Sequence, residues 1–162
     1  MNQKSKAEST NAERDDVAVS RDYDFPRESV FNMLTSRRTA SKFFSPEGAE
    51  KVVFEWDPRP GGVIRIHDRD GKGHFGKTSG TIVELVSPEL LVIRSTTSVN
   101  GTAPFDALQT VTFEALGPVK TRVNVRVKVI QPGGFPGGVE SLEEGFAGGW
   151  GQTLDMLQRE LH

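Results

Sequence analysis

Val123, Val125, Val127 and Val129 alternate with Arg122, Asn124, Arg126 and Lys128. Successive side chains of a strand point to opposite faces, so this stretch predicts an antiparallel strand with one buried and one solvated side. Such a strand needs neighbours beside it and a layer over its apolar face. The neighbours precede it. Val17 and Val19, then Tyr23 and Phe25, follow strand period; Val52, Phe54 and Trp56 share one face of the next strand. Ile64 with Ile66, residues 81–86, residues 90–96, and Val111 with Phe113 continue the series. In 81–86 the apolar residues are nearly continuous, and period alone does not say which face is inward. Turn chemistry separates the strands: the Pro- and Gly-rich segment 57–62, Asp70-Gly71 with Lys72-Gly73, and Ser87-Pro88-Glu89.

The covering layer comes last. After a Pro/Gly loop over 131–138, Trp150, Leu154, Leu157 and Leu161 fall at i, i+4, i+7 and i+11, one face of a helix that runs to the C-terminus. Ser141 with Glu144 reads as its capping box. Two shorter helices are expected after the first strand. Pro26 opens one, with Val30, Phe31 and Leu34 at helical spacing, and Lys42-Phe43-Phe44 ends the other before Pro46. Only the C-terminal helix is long enough to cover the sheet. The expected fold is therefore α+β of the helix-grip type: a curved antiparallel sheet of six to seven strands wrapped around a long C-terminal helix, over residues 17–162. Residues 1–16 are polar and cannot bury enough apolar area to offset ordering entropy, so a disordered tail is expected there.

Composition narrows the function classes. With 162 residues, 35% of them hydrophobic and 26% charged, the chain suits one ordinary globular domain. It has no Cys, which excludes disulfides, thiolate metal sites and a Cys nucleophile. A formal charge of -2 without a Lys/Arg run argues against a nucleic-acid partner. No apolar run approaches the roughly 18 to 20 residues that span a bilayer, and no apolar signal core opens the chain; a cytoplasmic location is expected.

Three stretches carry a resemblance. They are Asp24-Phe25-Pro26-Arg27-Glu28-Ser29-Val30-Phe31, Asp57-Pro58-Arg59-Pro60-Gly61-Gly62, and Glu144-Gly145-Phe146 through Trp150-Gly151-Gln152-Thr153-Leu154-Asp155-Met156-Leu157. In this order they resemble the family named for the activator of the ninety-kilodalton heat-shock protein's ATPase, homologue type. That family belongs to the START/SRPBCC superfamily, which also holds the birch-pollen allergens. Phe43-Phe44 stand where the family often has paired Trp residues. The resemblance implies the helix-grip fold. It does not assign a function, because the superfamily includes lipid carriers, hormone receptors, polyketide cyclases and co-chaperone domains.

Four glycines, Gly145, Gly148, Gly149 and Gly151, crowd Trp150 on the last helix. An interior helix Gly costs about 1 kcal/mol relative to Ala. Either space is kept beside the helix, or the helix starts late. Phe31, Phe43, Phe44, Phe54, Trp56, Ile64, Ile66, Phe113, Phe146, Trp150 and Leu154 are the candidate inward residues. Singly each is ordinary core; together they suit an apolar pocket for a small hydrophobic molecule, a lipid or polyketide-like aromatic. His67, Asp68, Asp70 and His74 form a polar cluster of metal-binding types. Asp70-Gly71 is already explained by its turn and Asp68 is expected to face solvent, so no metal is expected. Asp57 and Arg59 frame a glycine bend or a charged cavity lip. The sequence has no Gly-x-Ser-x-Gly elbow and no phosphate loop. Glu55, Asp57 and Glu114 leave a carboxylate acid/base pair open. No cofactor and no catalytic residue are assigned. Non-catalytic ligand binding leads; a chaperone-associated interaction module is the first alternative. A cyclase or hydrolase, which needs a polar group inside the pocket, is the second.

Overall fold

The computed structural model describes residues 16–101, 104–131 and 137–162. The expected tail lies outside the described residues except for Asp16, and so does most of the Pro/Gly loop. The elements run β1 (Val17–Tyr23), α1 (Arg27–Thr35), a single 3-10 turn (Ala40–Lys42), β2 (Glu50–Trp56), β3 (Val63–Arg69), β4 (Phe75–Val86), β5 (Leu90–Val99), β6 (Phe105–Gly117), β7 (Lys120–Gln131) and α2 (Gly138–Glu160). The seven strands form one antiparallel sheet in the order β1-β7-β6-β5-β4-β3-β2. Strands β2 to β7 follow one another as hairpins. The excursion through α1 and the 3-10 turn carries the chain from β1 at one edge to β2 at the other. This is the expected helix-grip fold.

The valine alternation in β7 decides its inner face. Val123, Val125 and Val127 are buried, and β1 sets Val17 and Val19 opposite Val127 and Val125. Two of the sheet's register shifts bear on the expected faces. Val52 is an extra residue between Lys51, opposite Asp68, and Val53, opposite His67. A bulge re-aims the side chains beyond it, so Val52 is exposed rather than on the face of Trp56. Val83 is extra between Ile82 and Glu84. Ile82 is buried, Val83 is exposed, and beyond the bulge Leu85 packs against the core. A one-residue slip of this kind explains why the apolar residues of 81–86 lack a clean alternation.

Helix α2 also departs from the expected start. Its N-cap is Gly137, in the left-handed region at φ 88°, and no side chain caps it. Ser141 lies in the first turn, so Ser141 and Glu144 are not a capping box. Any Cβ at residue 137 would lie 2.9 Å from that of Ser141, which leaves glycine as the fitting residue. The C-terminal half of α2 is firmly seated. Leu154 and Leu157 are fully buried against β1, β7 and α1. The Tyr23 hydroxyl donates to the Leu154 carbonyl at 2.8 Å, and Arg21 of β1 ion-pairs with Asp155. Among the described residues no helix is long and apolar enough to cross a membrane.

Candidate functional site

The N-terminal half of α2 stands off the sheet, and a cavity of about 500 Å³ lies beneath it. Its floor is the inner face of β3 to β6. Strand register sets this floor in rows: Ile64, Gly80 and Ser95; then Ile66, Thr78, Thr97 and Phe105; then Asp68, Gly76 and Val99. Gly80 permits a close approach of β4 to β5. A Cβ there would stand 2.3 Å from the Arg94 carbonyl oxygen of β5. The roof is α2, where Gly145, Gly148 and Gly149 border the cavity. An ideal Cβ at any of the three meets nothing within 4 Å. These glycines therefore do not serve a close backbone contact, and they do not mark a late start, since all lie inside α2. Their missing side chains leave space open.

Six of the expected inward residues meet at this cavity: Phe44, Trp56, Ile64, Ile66, Phe146 and Trp150. Phe44 stacks on Trp56 with ring centroids 4.7 Å apart and meets Trp150 edge-on at 5.7 Å. The polar edges of both indoles are held. Trp56 Nε1 donates to the Thr35 carbonyl at 2.7 Å, and Trp150 Nε1 donates to Gln109 Oε1 at 2.8 Å. Gln109 Nε2 in turn donates to Ser95 Oγ at 3.0 Å. The other five do not line the cavity. Phe31 and Phe113 meet edge-to-face at 5.0 Å in the closed part of the core, and Phe43 and Leu154 are fully buried there. Phe54 is half-buried behind Trp56, at 6.4 Å.

The polar part of the wall was not anticipated. Asp68 lines the cavity and does not point to solvent. The strand alternation carries the signal, because Asp68 is two residues beyond Ile66 and four beyond Ile64 on the same strand face. The Asp68 carboxylate has no hydrogen-bond or ion-pair partner among the described residues. Burial pushes its carboxyl above the usual range, the Asp70 carboxylate adds to this, and His67 and Lys51 oppose it. Thr78 and Thr97 share a hydrogen bond at 3.0 Å on the adjoining row. Ser45 is 8% exposed, borders the cavity, and its Oγ has no partner.

The other polar candidates lie elsewhere. Asp70 accepts from the Lys72 and His74 backbone N–H groups at 2.8 and 3.0 Å and pairs with His74 Nδ1 at 2.9 Å. The His74 hydrogen bonds and the Lys72 N–H hold its carboxyl down at about 2. His67, on the other face of β3 from Asp68, meets Phe75 edge-on. Among the described residues, no three His, Asp or Glu side chains are placed to hold a metal. Asp57 pairs with Arg59 and Arg37 at 2.7 and 3.1 Å in a bend where a Cβ on Gly62 would collide with the Asp57 carbonyl. Glu55 pairs with Arg65 at 3.1 Å, Glu114 is exposed, and neither they nor Asp57 border the cavity.

Solved structures share this architecture. Protein CV1439 of Chromobacterium violaceum superposes with a TM-score of 0.71 at 23% identity, over 91% of this chain and 96% of that one. A Rhizobium leguminosarum protein gives 0.71 at 20% identity, over 88% and 91%. DynU16, a protein in the dynemicin biosynthetic locus, gives 0.61 at 21% identity, over 90% of this chain and 46% of that one. Likeness at such identities concerns the fold. No curated protein matches the sequence. The profile of the Activator of Hsp90 ATPase homolog 1-like protein family matches residues 24–162, and with the helix-grip fold in place the chain belongs to that family.

Proposed function

We propose that this protein binds a small hydrophobic molecule, a lipid or polyketide-like aromatic, beneath α2 and does not transform it. One observation carries the reading: a cavity of about 500 Å³ faced by the rings of Phe44, Trp56, Phe146 and Trp150. That volume falls in the range of about 300 to 1,000 Å³ typical of small-molecule sites, and an apolar wall gains free energy when a ligand displaces its water. A structural relative in a biosynthetic locus is in keeping with a small-molecule ligand. Turnover is disfavoured, because Asp68 is the one titratable side chain among the described cavity residues and no second acid, base or activated nucleophile accompanies it.

Titration with fatty acids, flavonoids and polyketide-like aromatics tests the proposal. Fluorescence of Trp56 and Trp150, the two tryptophans of the chain, should change and saturate, and amide shifts should concentrate on residues 145–153. Silence from every ligand class at both readouts would overturn it. The family's description supports a second reading, a chaperone-associated module that uses the outer sheet face. Recovery of the heat-shock chaperone in a pull-down, with no small-molecule response, would favour that one.

A further inference from the structure

Along the floor of the cavity the chemistry changes from one end to the other. Trp56 lies opposite Ile64 at the aromatic end, and β3 then passes Ile66 to reach Asp68. At about 3.3 Å per residue, roughly 13 Å separate the Ile64 and Asp68 positions. Thr78 and Thr97 occupy the row next to Asp68. Gly76, directly opposite Asp68, makes room for the carboxylate: a Cβ there would lie 3.1 Å from Asp68 Oδ1. Ser45 Oγ, a buried polar atom without a partner among the described residues, also borders the cavity.

We propose that the cavity selects a ligand with an elongated ring-containing body and a protonated amine at one end, the rings against Phe44, Trp56 and Trp150 and the amine on Asp68. An ionised carboxylate taken partly out of water without a partner is unfavourable, and a cation brought to it by the ligand offsets that term. The arrangement thus favours an amine over a neutral ligand of equal shape, and disfavours an anion. Ser45 Oγ offers one further hydrogen bond to a polar group on the ligand body. The inference rests on the ligand-binding reading above and names its ligand class.

Three probes of one shape test it: 4-biphenylmethylamine, 4-biphenylmethanol and 4-biphenylcarboxylate, titrated calorimetrically at neutral pH into the wild type and Asp68→Asn. The wild type should bind the amine at least tenfold more tightly than the alcohol, and the carboxylate most weakly. Asp68→Asn should bring amine and alcohol within threefold of each other, and a thermal denaturation midpoint close to that of the wild type shows that the variant folds. Equal wild-type affinity for amine and alcohol, or a preference that survives Asp68→Asn, would overturn the inference and leave ligand binding standing. If none of the three probes binds, the inference falls. Ligand binding falls with it only if fatty acids and flavonoids are silent too.

Discussion

Trp150 shows how one residue serves both packing and the cavity. Its ring is 5% exposed, one edge meets Phe44, and its N–H is held by Gln109, yet part of it borders open space. Trp150→Ala should lose about 2 to 3 kcal/mol in chemical denaturation, less than the 3 to 5 of a fully packed ring, because the cavity side contributes few contacts. Trp150→Phe should lose about 1 kcal/mol, chiefly the indole hydrogen bond. A loss under about 1 kcal/mol for the alanine variant would contradict this placement. Asp70 gives a pH test. Its folded pKa, about 2, lies below the ordinary 3.8, so its contribution is complete above 3.8 and disappears as pH falls through 2. Carboxyl NMR titration should place its midpoint near 2, and Asp70→Asn should flatten the stability profile over that acid interval. The turn role of Asp70 was legible from Asp-Gly alone; the inward position of Asp68 was legible from alternation. Its lack of a partner was not, because that depends on what the opposing strand and helix bring near it.

The helix α2 has two halves with different duties. The C-terminal half is locked by Leu154, Leu157, the Tyr23 hydroxyl and the Arg159–Glu47 and Lys42–Glu160 ion pairs. The other half carries glycines at which an added Cβ would meet nothing within 4 Å. Gly148→Ala with Gly149→Ala should therefore stabilise the protein, by about 1 to 2 kcal/mol from helix propensity, and should weaken ligand binding by filling the cavity roof. Denaturation midpoints and ligand titration of the same variant check the two effects together; a destabilised variant would mean that the roof is packed. Gly62→Ala must behave oppositely, since its Cβ would strike the Asp57 carbonyl. The helical stripe from Trp150 to Leu161 was plain in the sequence. The helix start was not, because Ser141 and Glu144 have the composition of a capping box while Gly137, with its positive φ, makes the actual cap.

Across the whole molecule, the sheet joins the two ends of the chain: β1 pairs with β7, and α2 returns over both. A ligand held between sheet and helix binds only the folded state, so it should raise stability with concentration, by about 2.7 kcal/mol at a hundred times its dissociation constant. Thermal denaturation over a ligand series checks this, and a midpoint independent of ligand would mean that binding does not involve the folded cavity. The periodicities alone determined the strand series, the covering helix and the fold class, because the side-chain directions of strands and helices are local properties of the backbone. They did not separate core from cavity wall. Phe113 and Ile66 both alternate inward, but one meets Phe31 at 5.0 Å and the other meets the cavity. Only the tertiary structure decided between them, because the gap between helix and sheet depends on where α2 is anchored, on the bulges at Val52 and Val83, and on the close approach at Gly80. Those are properties of paired elements, and no single segment encodes them.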